Sequence, residues 1–288
     1  MPSYALDPLI ASIIFFIASV PMGAFAYGFS SISAPLLLLW YTNKQVVPVL
    51  NLIEVFQNTA MIIMNRRGLT KRVLFQILPF ASGVVPGIFL GVYILNYGDP
   101  QFLKLMAYSV LTPLVLLQAA GIRRPLGATW LPMTGIAVGT LYGSTTISGP
   151  LIALVLNNNG LVKDEFRAGM SVVRVIESYF TATLYLIHGY FTLGVVYTAA
   201  ITSLPIILGI ALGRWIVAHV RPELFRRLVM SFDAWVVGYG LSNTAAQLKI
   251  IPATWAPLLF LAVALTDSLL FVLYLRGRLQ PRVFGIHA

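Results

Sequence analysis

Seven stretches of this chain, residues 45–65, 73–95, 101–121, 164–188, 193–215, 223–246 and 254–275, are long and apolar enough to cross a hydrocarbon layer about 30 Å thick as α-helices. That recurrence limits the fold more than any other feature. A bilayer core offers no water to backbone N–H and C=O groups, so a spanning segment must satisfy them internally. The short alternating strands of a membrane barrel are absent. An all-α, polytopic membrane protein is expected. Composition agrees, with 58% hydrophobic and 10% charged residues, where a soluble domain carries about 25% charged. The net charge of +10 reads as basic cytoplasmic loops and not as a nucleic-acid surface. The first residues, MPSYALD, lack the basic region of a cleaved leader. With no cysteine, disulfides and thiolate metal sites are excluded. His188, His219 and His287 show no metal-ligand spacing, and no phosphate loop or nucleophile motif occurs. No cofactor, no metal and no enzymatic activity are expected.

Two further apolar regions, 8–41 and 128–158, are interrupted. Tyr27-Gly-Phe-Ser-Ser-Ile-Ser-Ala-Pro35 and Tyr142-Gly-Ser-Thr-Thr-Ile-Ser-Gly-Pro150 line up without a gap at an offset of 142 − 27 = 115. Glu54 in LIEVFQNTA matches Glu177 in VIESYFTA, and Gly87–Gly91 matches Gly209–Gly213. The Gly-x-x-x-Gly spacing reads as helix packing. The chain divides into a first repeat (1–122), a second repeat (123–248) and an added C-terminal helix with its tail (249–288).

Positive charge orients the halves. If each interrupted segment dips into the membrane and returns to its own side, 15 of the 19 Lys and Arg face the cytoplasm. These are Arg66, Arg67, Lys71, Arg72, Arg123, Arg124, Lys163, Arg167, Arg214, Arg221, Arg226, Arg227, Arg276, Arg278 and Arg282. The halves are then inverted in topology, with the N-terminus outside and the C-terminus in the cytoplasm. Inverted repeats around broken helices are a transporter architecture.

A proline suits the first turn of a helix, where its missing N–H costs nothing. Pro35 and Pro150 are therefore expected to begin short half-helices whose N-terminal ends, each with about half a positive charge, face mid-membrane and one another. Hydroxyls of Ser30, Ser31, Ser33, Ser144, Thr145, Thr146 and Ser148 could donate to an anion there. Arg174 lies one helical turn before Glu177, and Asn51 one turn before Glu54. Arg174 either grips an oxyanion in a forked contact or pairs structurally with Glu177. Glu54, Glu177 and Asp233 are candidates for proton coupling, whereas Asp267, in the unrepeated last helix, reads as structural. Tyr27 and Tyr142, with Phe25, Phe29, Tyr179, Phe180 and Tyr185, could form an aromatic wall for the organic part of a ligand.

The segments GAFAYGFSSISAPLLLLW and GTLYGSTTISGPLIALVL resemble the sulfite-exporter TauE/SafE family, also called the 4-toluene sulfonate uptake permease family. Where its members usually carry a run of glycines, this chain has Ser30, Ser31, Thr145 and Thr146. The resemblance implies secondary transport of a sulfur-containing anion, such as 4-toluenesulfonate, sulfoacetate or sulfite, across a bacterial inner membrane. The leading expectation is a sulfonate transporter. The alternatives are an exporter of sulfite or another small inorganic anion, and a passive anion channel. The expected partners are a small anionic substrate, the lipid bilayer and a second copy in a homodimer, with no nucleic acid.

Overall fold

The structure, a computed structural model, describes residues 6–120, 128–158, 161, 163–219 and 222–277. Among these every regular element is helical: α1 (Pro8–Phe25), α2 (Phe29–Leu37), α3 (Asn43–Met64), α4 (Lys71–Tyr97), α5 (Pro100–Ala119), α6 (Leu131–Thr145), α7 (Gly149–Asn158), α8 (Lys163–Ile187), α9 (Leu193–Ile201), α10 (Ser203–His219), α11 (Pro222–Gln247) and α12 (Ala256–Leu275). Among the described residues five segments are long and apolar enough to cross a membrane: Asn43–Met64, Lys71–Tyr97, Pro100–Leu117, Asp164–Ile187 and Ala253–Leu275. Their outer faces carry exposed Phe75, Leu78, Leu265 and Leu269, as lipid requires. This is a multi-pass membrane protein.

Two expected spans differ. Residues 193–215 form not one helix but α9 and α10, bent by 42°, and the pair passes as a sixth span only when taken together. Pro205 has no N–H for the carbonyl of Ile201, and its ring crowds that carbonyl, so the helix breaks one turn earlier. Thr202 and Ser203 instead turn their hydroxyls to the carbonyls of Thr198 (2.8 Å) and Ala200 (2.7 Å). Residues 223–246 form α11, which is long enough but less apolar. Its first turns carry Glu223, Arg226 and Arg227, and Asp233, Ser242, Asn243 and Thr244 follow.

Both interruptions are real. α1 ends with Ala26 in the left-handed region (φ 63°), its N–H capping the carbonyl of Met22, and α6 ends the same way at Thr146 (φ 59°) on Tyr142. Gly28, at φ 109°, leads into α2. A side chain disfavours that angle, and an added Cβ would also sit 3.0 Å from Pro21. Gly28→Ala should therefore lower stability by about 1–2 kcal/mol in a detergent unfolding assay.

One expectation is corrected. Pro150 is the second residue of α7, as a helix-starting proline should be, but α2 begins at Phe29 and holds Pro35 inside its later turns. The reason is register. Gly87 of α4 packs on Ile136 of α6, while its counterpart Gly209 of α10 packs on Phe16 of α1, an offset of 136 − 16 = 120. Gly91 against Thr140 and Gly213 against Val20 give the same value, 140 − 20 = 120. The matching strings at offset 115 are thus five residues out of structural step. Ser148 corresponds in space to Gly28, not to Ser33.

Packing follows an exchange between halves. α1 lies along α10 and α6 along α4, while α3 meets α8, α5 meets α11 and α2 meets α7. Swapping the halves maps this set of pairs onto itself. Glycines let the backbones touch: Gly83, Gly87 and Gly91 face the backbone of α6, and Gly135, Gly139 and Gly143 face that of α4. The α1–α2 pair enters and leaves at one end, because the Asp7 N–H before α1 donates to the Tyr41 hydroxyl after α2 (3.1 Å). At that same end Lys44 donates to the carbonyl of Asn96 (2.8 Å). The opposite end of α3 gathers Arg66 and Arg67, with Asn65 on Ser171 (3.1 Å) and Arg72 beside Glu165 (4.0 Å). Of the basic residues in the charge count, Arg123, Arg124, Arg221, Arg278 and Arg282 lie outside the described residues. α12 packs on α11 and α5 and is otherwise exposed.

Candidate functional site

α3 and α8 pack against each other, and their polar residues meet at that contact. Asn51, Glu54 and Asn58 are spaced by three and four along α3, which puts them on one face. Arg174, Glu177, Ser178 and Thr181 do the same on α8, and all seven are buried. Arg174, 1% exposed, organises the cluster. One terminal nitrogen, Nη2, donates to Glu54 Oε1 and to Ser30 Oγ (3.3 Å). The other, Nη1, donates to Ser148 Oγ (3.0 Å) and lies 3.5 Å from Glu177 Oε2. The Tyr142 ring lies under the guanidinium, 5.2 Å from its carbon to the ring centre.

The carboxylates are held in turn. Tyr142 donates its hydroxyl to Glu54 Oε2 (2.7 Å) and accepts from Asn51 Nδ2 (3.3 Å), which also donates to the Ser178 carbonyl (3.2 Å). Ser148 donates to Glu177 Oε2 (2.8 Å) while accepting from Arg174. Ser30 is the second residue of α2 and Ser148 immediately precedes α7. One guanidinium therefore ties together the starts of both half-helices. Those starts are neighbours, since a methyl added at Gly149 would sit 3.3 Å from the Tyr27 ring and 3.5 Å from Ser31 Oγ.

The expected hydroxyls part into three groups. Ser30 and Ser148 reach Arg174. Ser33, Ser144, Thr145 and Thr146 donate to the nearby carbonyls of Phe29 (2.6 Å), Thr140 (2.8 Å), Leu141 (2.6 Å) and Thr145 (2.6 Å). They close backbone groups freed around the breaks. Ser31 Oγ is buried with no hydrogen-bond partner among the described residues. Glu54 and Glu177 join the cluster; Asp233 lies on α11 beside Ser31, across a small cavity. Tyr27 packs edge-on against Phe166 at the first break.

Of the aromatic residues, Tyr142 alone lies against Arg174 among those whose side chains are described. Tyr179 and Phe180 are nearly half exposed. Tyr185 donates to the Gly143 carbonyl (2.7 Å), and Phe29 packs on Phe15. The Phe25 side chain lies outside the described residues. Sequence reasoning passed over Asn58, which donates to the Arg174 carbonyl (3.2 Å). The position of Asn58, one turn beyond Glu54, was a readable signal.

Chemically, the cluster sets two carboxylates against one guanidinium, a formal charge of −1 when all are ionised. Arg174 Nε, Glu177 Oε1 and Asn51 Oδ1 have no partner among the described residues. An arriving oxyanion would find an open N–H and would have to displace a carboxylate from the terminal nitrogens. No group of His, Cys, Asp and Glu among the described residues could hold a metal ion.

Comparison with protein families matches residues 11–240 to a family described as sulfite exporter TauE/SafE. That stretch contains both breaks and the whole Arg174 cluster. No curated protein and no solved structure matches the chain.

Proposed function

Because this chain belongs to the sulfite exporter TauE/SafE family, whose members are membrane transporters of sulfur anions, we propose that it is a secondary transporter for an anion with an –SO3 head, bound by Arg174 at mid-membrane between the starts of α2 and α7. The observation that carries this reading is the double attachment of Arg174, to Ser30 at one break and to Ser148 at the other. A charge joined to both half-helices can report the presence of a ligand to both halves of the molecule. In this state Glu54 and Glu177 occupy the guanidinium as internal anions. A substrate oxyanion replaces one of them, gaining a forked contact that matches its planar set of donors. The N–H groups of the two half-helix starts add fixed positive potential.

Two inverted halves, 1–122 and 123–248, would rock about this point in a bacterial inner membrane, with the N-terminus outside and the C-terminus in the cytoplasm. The surroundings of Arg174 favour a compact head. Among the described side chains Tyr142 is its one aromatic neighbour, while Tyr179 and Phe180 sit at the exposed face. Sulfite or sulfoacetate therefore fits this reading better than 4-toluenesulfonate.

The test is a thermal-shift screen of the purified protein with sulfite, sulfoacetate, taurine and 4-toluenesulfonate. Stabilisation by the first two is expected. Stabilisation by 4-toluenesulfonate alone would overturn the compact-head assignment, and no response to any anion would overturn the proposal. Transport and channel flux separate in proteoliposomes, where a carrier saturates and supports counterflow.

Glu54→Gln removes one internal competitor and leaves a neutral Arg174–Glu177 pair. Sulfite should then bind about tenfold tighter, a change of about 1.4 kcal/mol. Titration calorimetry reads this directly, and an unchanged or weaker affinity would show that Glu54 does not compete with the ligand.

A further inference from the structure

Four acids lie near the middle of membrane helices, and they are not alike. Glu54 and Glu177 face Arg174. Asp267 is buried on α12, outside the paired helices, with its Oδ1 lacking a partner among the described residues, but it borders no part of the cavity at Asp233. Asp233, 6% exposed, has its Oδ1 without a partner among the described residues. It lines a cavity of about 30 Å³, room for a single water. Pro21, Gly28, Ser31, Val115 and Pro150 are among the other walls.

Three features of this cavity point the same way. First, no basic side chain among the described residues lines it, so an ionised Asp233 would have no cation from them beside it in a membrane interior, which is costly. Second, Ser31 Oγ, also unpartnered and buried, borders the same space, so one water can bridge a hydroxyl and a carboxyl group there. Third, the walls come from both halves. Pro21, Gly28 and Ser31 flank the first break, Pro150 begins α7, and Asp233 rides on α11. Any movement of one half against the other reshapes the cavity.

The ionisable groups around it are few. Of the elements packed on α11, α5 brings Lys104 and Tyr108, α10 brings Arg214 and His219, α12 brings Asp267 and Tyr274, and α2 brings none. None of these lines the cavity, and among the described residues Tyr27 is the one other titratable group that does. On α11 itself Arg227 is turned to the Ala119 carbonyl and the Tyr274 ring.

We propose that this cavity is the proton site of the transporter. Asp233 takes a proton on a carboxylate oxygen from water on one side of the membrane, crosses the cycle as the neutral acid, and returns the proton to water on the other side. One proton and one monovalent anion then move together without net charge. The reading rests on anion transport at Arg174, but it concerns a separate group on the far side of the half-helices.

The experiment compares wild type, Asp233→Asn and Asp267→Asn in proteoliposomes with labelled sulfite. A gradient of one pH unit supports about tenfold accumulation at one proton per anion. Wild type and Asp267→Asn should reach it. Asp233→Asn should lose the accumulation while still exchanging labelled for unlabelled sulfite. Accumulation that survives in Asp233→Asn, or that follows a sodium gradient in place of pH, would overturn the proposal. Infrared difference spectroscopy on the purified proteins gives a readout independent of the substrate. The C=O band of a protonated acid should titrate in wild type and Asp267→Asn and be missing in Asp233→Asn. A band unchanged in Asp233→Asn refutes the proton site whatever is transported. The expected band in a protein that moves no anion would refute the transport reading and leave the proton site standing.

Discussion

Arg174→Gln is expected to abolish anion binding and to destabilise the protein by about 3–5 kcal/mol, the usual consequence of removing one partner from a buried ion pair. The two effects have one cause. Arg174 is the one charged donor in a cluster that otherwise holds Glu54 and Glu177, and glutamine leaves both carboxylates facing each other's field with no cation. It also cuts the link between Ser30 and Ser148. Adding Glu54→Gln and Glu177→Gln to the same protein removes the stranded charges, so thermal stability should largely return while binding does not. That separation distinguishes a binding residue from a structural ion pair. Arg174→Lys should keep much of the stability but bind poorly, because an ammonium cannot reach partners at both breaks with a planar fork. Titration calorimetry with sulfite beside thermal unfolding in detergent measures both quantities. An Arg174→Gln protein that binds sulfite with unchanged affinity would remove Arg174 from the site.

Gly139→Leu should have the second largest effect, through the scaffold and not the ligand. A Cβ at Gly139 would overlap the backbone carbonyl of Val84 on α4, and one at Gly83 would overlap that of Pro132 on α6. Backbone atoms cannot turn aside as a side chain can, so the helices must separate. The expected loss exceeds about 3 kcal/mol, beyond ordinary overpacking, and should appear as loss of monodisperse folded protein. Gly189→Ala is the control. Its φ of 71° makes a side chain unfavourable, but nothing lies within 4 Å, so only strain of about 1–2 kcal/mol is expected. If both variants behave alike, the close α4–α6 contact does not hold the halves together.

Much of this was legible in the chain itself. The twenty-residue apolar runs must become helices in a bilayer, and Pro150, after Ser148 and Gly149, marked the start of α7. The spacing of Asn51 and Glu54, and of Arg174 and Glu177, placed each pair on one helical face. The bend at Pro205 was equally available, from the carbonyl that proline leaves without a donor, but the apolar run through it masked the signal.

The match of two strings at offset 115 was real as sequence, yet the structure sets the halves in step at 120, because the glycine contacts between α1 and α10 and between α4 and α6 govern how far each helix advances before its break. Local spacing could pair Arg174 with Glu177. It could not say that Glu54, from the other half, takes the stronger contact, since that depends on how α3 crosses α8. Nor could it choose among seven hydroxyls. A serine or threonine in a helix can always turn back to a carbonyl three or four residues behind; Ser33, Ser144 and Thr145 do so, and Thr146 turns to the carbonyl of Thr145. Composition and periodicity dictated helices, breaks and the polar face of each; the crossing of α3 with α8 decided which of those groups share a charge, because such contacts join residues more than a hundred positions apart that no local pattern relates.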